Sequence, residues 1–209
     1  MSGTAGLAVL QRGPYDWRPA EPAGAPAAVR SNQSSTLPEG LNVTISISDQ
    51  FAVFSHMLSN LDKIFTKAEA DCESRKIDPQ VYTNGRLAPD MLPLARQVQI
   101  MTDLAKAGAS RLAGKESPKW ADEEKTFAEL HERVAKTIAH LKTFKASDFD
   151  GAETRTIELK FPNAAFTFTG KEYLLNFVIP NFYFHYTTAY AILRHNGVQI
   201  GKGDFLGNR

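Results

Sequence analysis

Cysteine is nearly absent. Cys72 is the one thiol in 209 residues, which excludes an internal disulfide framework and a thiolate-rich zinc site and suits a reducing compartment. An excess of charge of either sign is missing too. With 24 Lys+Arg against 23 Asp+Glu, a net of +1, the chain carries no field to draw in nucleic acid or an anionic membrane, so neither is expected as a partner. No apolar run reaches the roughly 18 residues of a membrane span. Nor does a charged stretch followed by an apolar one mark a signal peptide. What is present is 43% apolar and 10% aromatic residues, enough to bury the core of one domain of ordinary size. These features together read as a cytoplasmic protein.

The beginning of the chain differs from the rest. Of the first 40 residues 17 are Ala, Gly or Pro, five of the eleven prolines fall there, and no lysine precedes Lys63. Residues 1–42 therefore read as a flexible extension with no apolar stripe to dock. Arg12, Arg18 and Arg30 against three acids give it a weak mitochondrial-targeting character. The folded domain is expected over residues 43–209. There Phe51, Phe54, Leu58, Leu61, Phe65, Ala68 and Cys72, spaced by threes and fours, predict an amphipathic helix capped at Ser48 or Asp49 and ending at Arg75. A second helix opens at Asp90, with Pro93 in its first turn, and carries Leu94, Val98, Met101, Ala105 and Leu112. A third runs from about Ala121 to Phe144. Alternation from Thr156 to Lys160 and from Ala165 to Thr169 predicts a β-hairpin. The last helix, from Lys171 to Asn196, is apolar almost all round and is capped by Gly197; Pro180 inside it predicts a kink or local break. Four long helices and one short hairpin before the last of them make an all-α four-helix bundle.

On the last helix the core-facing stripe is Leu174, Val178, Asn181, His185, Thr188 and Ile192. Its central layers are polar. Asn181 and His185, four apart, share one face, the spacing by which a helix presents two groups to a ligand or a metal. On the second helix Gln97 borders the apolar stripe and is the candidate to reach inward, whereas Arg96 and Asp103 read as a solvated ridge. The expected site is thus a pocket between the second and last helices that binds, and could transform, a small organic molecule. His185 serves there as hydrogen-bond donor or general base; Asn181, Gln97 and Thr188 orient the ligand, and Tyr183, Tyr186 and Tyr190 line it. Burial without a carboxylate partner predicts a lowered pKa for His185. The plainer alternative, that Asn181 and His185 only fix the register of the bundle, stays open. His131 and His140 fall on opposite sides of the third helix and cannot share a ligand. His56 reads as a packed or surface residue, and His195 as a partner of the helix dipole.

Longer stretches carry a resemblance: Arg86-Leu-Ala-Pro-Asp90-Met-Leu-Pro93-Leu-Ala-Arg96-Gln97-Val-Gln99, Phe166-Thr-Phe-Thr-Gly170-Lys-Glu-Tyr173, Pro180-Asn181-Phe-Tyr-Phe-His185 and Ile192-Leu-Arg194-His-Asn-Gly197. From about Val43 to Gly207 the chain is similar to the DUF1993 family. Bacterial members begin near the equivalent of Val43, so the extension suggests a eukaryotic, fungal version. DUF1993 in turn resembles the DinB/YfiT-like superfamily of four-helix bundles, many of which hold a divalent metal with three histidines. Some of these transfer low-molecular-weight thiols. The resemblance places His185 on the second histidine of the last-helix pair and Asn181 on the first; Gln97 or Gln99 stands where the remaining histidine would be. It thereby implies an alternative, a divalent-metal-dependent enzyme of the thiol-transferase type with His185 as one metal ligand. A further alternative is a non-enzymatic interaction protein that forms a homodimer through its aromatic-rich helical surface.

Overall fold

The first long helix, α1 (Ile47–Arg75), starts from a reciprocal cap. The Ser46 hydroxyl accepts from the Asp49 N–H at 3.1 Å, and the Asp49 carboxylate accepts from the Ser46 N–H at 3.0 Å. This capping box moves the start back from the expected Ser48 or Asp49, because Asp49 serves at the third helical position. The helix ends at Arg75 as expected. Asp78-Pro79, read as a stop, is also a start: the Asp78 carboxylate accepts from the Gln80 N–H at 2.9 Å and opens a short helix, α2 (Pro79–Thr83). The computed structural model describes residues 46–161 and 164–207. The extension expected at 1–42 lies outside the described residues.

In α3 (Leu94–Leu112) Pro93 is the extended residue before the helix rather than part of its first turn. The next helix, α4 (Phe127–Leu141), begins later than the Ala121 of the sequence reading. Thr126 and Glu129 form a second capping box there, with the Glu129 carboxylate accepting from the Thr126 N–H at 2.9 Å. The residues before it stay irregular and carry Asp122 and Glu124 against α3. Two short 3₁₀ turns, Ala146–Phe149 and Ala152–Thr154, lead into the hairpin. Strand β1 (Thr156–Phe161) pairs antiparallel with β2 (Ala164–Thr169), with Ile157 opposite Phe168 and Leu159 opposite Phe166. Ile157 and Leu159 point into the core.

The last long helix has three parts: α5 (Gly170–Glu172), a π-helical stretch (Tyr173–Val178) and α6 (Ile179–His195). The Ile179 N–H bonds to the Leu174 carbonyl, five residues back, and Pro180 follows in the first turn of α6. The break expected at Pro180 thus takes the form of a widened turn just before it, a rare helical geometry that goes with kinks. A final short helix, α7 (Lys202–Leu206), lies on α1.

Around the bundle α1 packs on α4, α4 on α3, α3 on α6, and α6 back on α1. Phe54 and Phe182, both fully buried, stack at its centre with ring centroids 4.0 Å apart. Burying such a side chain contributes about 1.5–3 kcal/mol, and Phe54→Ala would cost about 3–5 kcal/mol. α3 and the last helix approach closely at Gly108, where a Cβ would come within 2.9 Å of Val178. Among the described residues no helix is long and apolar enough to cross a membrane.

Candidate functional site

Seven residues beyond Val178 on the same face, His185 meets α3. Its Nδ1 lies 2.6 Å from Gln97 Oε1, and both side chains are 2% exposed. The Gln97 amide N–H donates to the Leu92 carbonyl at 2.9 Å. With that end of the amide committed as donor, its oxygen is left as acceptor, so the imidazole proton sits on Nδ1. Nε2 carries a lone pair and has no hydrogen-bond partner among the described residues. Burial pushes the His185 pKa down to about 4, so the ring is neutral at pH 7. The exposed ring of Phe184 packs edge-on against the imidazole, 5.2 Å between centroids.

The other residues expected at this site have different partners. Asn181 donates to the Phe177 carbonyl of its own helix at 2.7 Å, and Thr188 to the Phe184 carbonyl at 2.7 Å. Tyr183 sets its ring against Phe54 and Phe182. Tyr186 and Tyr190 turn toward Phe205 of α7. The structure therefore brings Gln97 and His185 together, and sends the three tyrosines to the side of α6 that faces α1 and α7. Two surface clefts, of about 320 and 280 Å³, lie elsewhere. Trp120, Glu124, Glu132 and Lys136 are among the residues lining the first, and Phe51, Lys142, Phe144 and Phe149 line part of the second.

A larger polar cluster, centred on Arg133 of α4, is absent from the sequence reading. Its guanidinium is buried and donates to Thr102 Oγ1 at 2.7 Å, to Glu124 at 2.9 Å and to Asp103 at 3.0 Å, with Asp122 at 2.9 Å. Arg96 reaches Asp122 at 2.7 Å and Gln99 at 2.6 Å. The ridge read as solvated, Arg96 and Asp103, is thus one wall of an ion network, and Gln99 beside it is buried. Burial alone would raise the Asp122 pKa, but Arg96 and Arg133 outweigh it and hold it down. The available signal was an arginine between Leu130, Val134 and Thr137, on the inward side of its helix. His131 sits between two acids of α1, with Asp62 at 2.5 Å and Glu69 at 3.1 Å. His140 instead meets Ser110 at 3.1 Å. These two histidines share no partner, as their spacing predicts.

A model of the family described as "Domain of unknown function (DUF1993)" matches residues 48–206. The chain belongs to the DUF1993 family. It is similar to a DinB family member protein from Shewanella denitrificans, known from a crystal structure. The two are 47% identical, with 76% of this chain and 90% of that chain covered and a TM-score of 0.70. No curated protein matches. The fold of this DUF1993 domain is accordingly DinB-like, a helical bundle with a hairpin before its last long helix.

The three-histidine metal of DinB-like bundles does not fit the residues of this DUF1993 chain. The Gln97 oxygen already accepts from His185 and its nitrogen donates to Leu92; the Asn181 amide is turned to its own helix. That leaves one imidazole nitrogen where a divalent transition metal needs three or four donors. Among the described residues no three His, Cys, Asp or Glu side chains converge elsewhere as metal ligands.

Proposed function

We propose that this DUF1993 protein binds a small organic molecule at the His185–Gln97 pair between α3 and α6. The observation that carries the reading is the unpartnered Nε2 of an imidazole whose other nitrogen is fixed by Gln97. With Nδ1 held by Gln97 the ring is fixed in place, and its Nε2, which is not a fully enclosed atom, presents a lone pair suited to accept a hydrogen bond from a ligand hydroxyl, amide or amine. With a pKa of about 4 the ring is a weak base. Accepting a hydrogen bond, and not removing a proton, is then the role that suits it best. The route of entry we propose passes the Phe184 ring, which is 55% exposed.

The test is a ligand-observed NMR screen of small polar molecules against the full chain and against His185→Gln, with melting curves for both. The reading expects molecules that bind the wild type and are lost in a variant that still melts cooperatively. Equal binding of every hit by the two proteins, or no hit for the wild type, contradicts it.

A further inference from the structure

Helix α7 is five residues long, has no buried residue, and lies between Gly201 and Gly207. A helix so short has almost no stability of its own, so it is its contacts with the bundle that hold it in place. The ring of Phe205 stands edge-on to Tyr186 and Tyr190, with centroids 4.7 and 5.5 Å away. The Phe205 carbonyl accepts from the Tyr186 hydroxyl at 3.2 Å, and the Leu206 carbonyl from His56 Nε2 at 2.9 Å. The Asp204 carboxylate accepts from the Lys67 ammonium at 2.6 Å. At the end Gly207, with φ +73°, comes down on Asn60; a Cβ there would lie 2.4 Å from the Asn60 amide oxygen. Only glycine permits that approach.

Seen from the bundle, this segment presents a benzene ring flanked by acceptor oxygens, one of them anionic. The bundle meets it with two aromatic rings, a hydroxyl donor, an imidazole donor and an ammonium. The Tyr186 hydroxyl, on a fully buried residue, has no other hydrogen-bond partner among the described residues. These groups together recognise an aromatic carboxylate: edge-to-face packing for the ring and charge-assisted bonds for the acid.

We propose that the face formed by His56, Lys67, Tyr186 and Tyr190 is a binding site for an aromatic carboxylate, which the chain's own segment 201–207 occupies through Phe205 until such a ligand displaces it. This face lies across α6 from the His185–Gln97 pair and does not depend on the reading given to that pair. A segment docked for roughly nine-tenths of the time would weaken the apparent affinity of the full chain about tenfold relative to the open site.

Phenylacetate is the probe, titrated by calorimetry into the full chain and into full-length Phe205→Ala, whose folding is checked by circular dichroism. Phenylacetamide, the neutral counterpart, is titrated beside it. Hydrogen exchange of residues 201–207 is followed in the wild type with and without phenylacetate up to its solubility limit. The expected result is about tenfold tighter binding of phenylacetate by Phe205→Ala, much weaker binding of phenylacetamide, and faster exchange of 201–207 when the probe is added to the wild type. No saturable binding by folded Phe205→Ala, or equal binding of acid and amide, overturns the proposal. Unchanged exchange of 201–207 in the wild type overturns it too, whether or not the variant folds.

Discussion

Gln97 and His185, 88 residues apart in the chain, meet at 2.6 Å across the α3–α6 interface, and the direction of that bond sets the chemistry of the imidazole. Because Gln97 donates to Leu92, it can only accept from His185. The proton is held on Nδ1, and Nε2 is the free atom. A one-residue slip in the register of α3 against α6 would rotate Gln97 by about 100° and dissolve the pair.

The pair should therefore respond to substitution in a non-additive way. Gln97→Leu leaves the buried Nδ1–H of His185 without an acceptor, at a cost of about 1–3 kcal/mol in urea unfolding. His185→Leu in the same background should recover much of that loss, since replacing both partners removes the unpaired group. Simple addition of the two single losses would show that the bond contributes nothing specific.

Arg133 carries a larger structural load. Arg133→Met leaves Asp103, Asp122 and Glu124 without their shared cation, and breaking a buried pair of this kind costs about 3 kcal/mol or more. Partial exposure of the acids places the expected value at the lower end. Arg133→Lys should rescue little, because one ammonium cannot reproduce a fork that reaches three acids. A midpoint in urea within experimental error of the wild type would contradict the role assigned to this network.

The histidines should give stability opposite pH dependences. For His131 burial acts to lower the pKa, but the bonds to Asp62 and Glu69 outweigh it and the pKa is raised. A raised folded pKa means that its stabilisation is complete below the unfolded value of about 6.5 and is lost as pH rises through the folded one. For His185 the folded pKa of about 4 lies below the unfolded value. The unfolded state then binds more protons between these limits, and stability falls as pH drops from about 6.5 to 4, by about 3 kcal/mol in all. Denaturation curves across pH should show His131→Gln losing the decline on the alkaline side and His185→Gln losing the steep part on the acid side. An unchanged acid slope in His185→Gln would contradict the burial argument.

Pro180 should be nearly neutral. In a regular helix interior proline costs about 3 kcal/mol, but here it follows the widened turn of the π-helical stretch and sits in the first turn of α6. Pro180→Ala is expected to change stability by less than about 1 kcal/mol. A gain near 3 kcal/mol on thermal or urea unfolding would mean that the proline is strained.

Much of the fold could be read from local pattern. The stripe Phe51, Phe54, Leu58, Leu61, Phe65, Ala68 is buried throughout, because period and apolar content agree over many turns. The start of α4 could not be placed from periodicity alone. Thr126 and Glu129 cap it, yet the residues before them are equally compatible with a helix until Arg133 calls Asp122 and Glu124 across to α3. At the candidate site, position on a stripe was enough to foresee that Gln97 and His185 are buried on facing helices. It could not foresee that Asn181 and Thr188 would satisfy themselves on their own helix, since a short polar side chain on a helix always has that local choice. Nor could it place Tyr186 and Tyr190, whose partner Phe205 comes from a segment with no periodic signal of its own.

The most direct measurement is the nitrogen NMR spectrum of the His185 ring, recorded on protein labelled at histidine from neutral pH down to pH 4. The account predicts a neutral imidazole with its proton on Nδ1 and an unprotonated Nε2, persisting well below the ordinary midpoint of about 6.5 toward about 4. An Nε2–H tautomer, or a ring that titrates at the ordinary midpoint, would contradict the claim that His185 presents a free acceptor to a ligand.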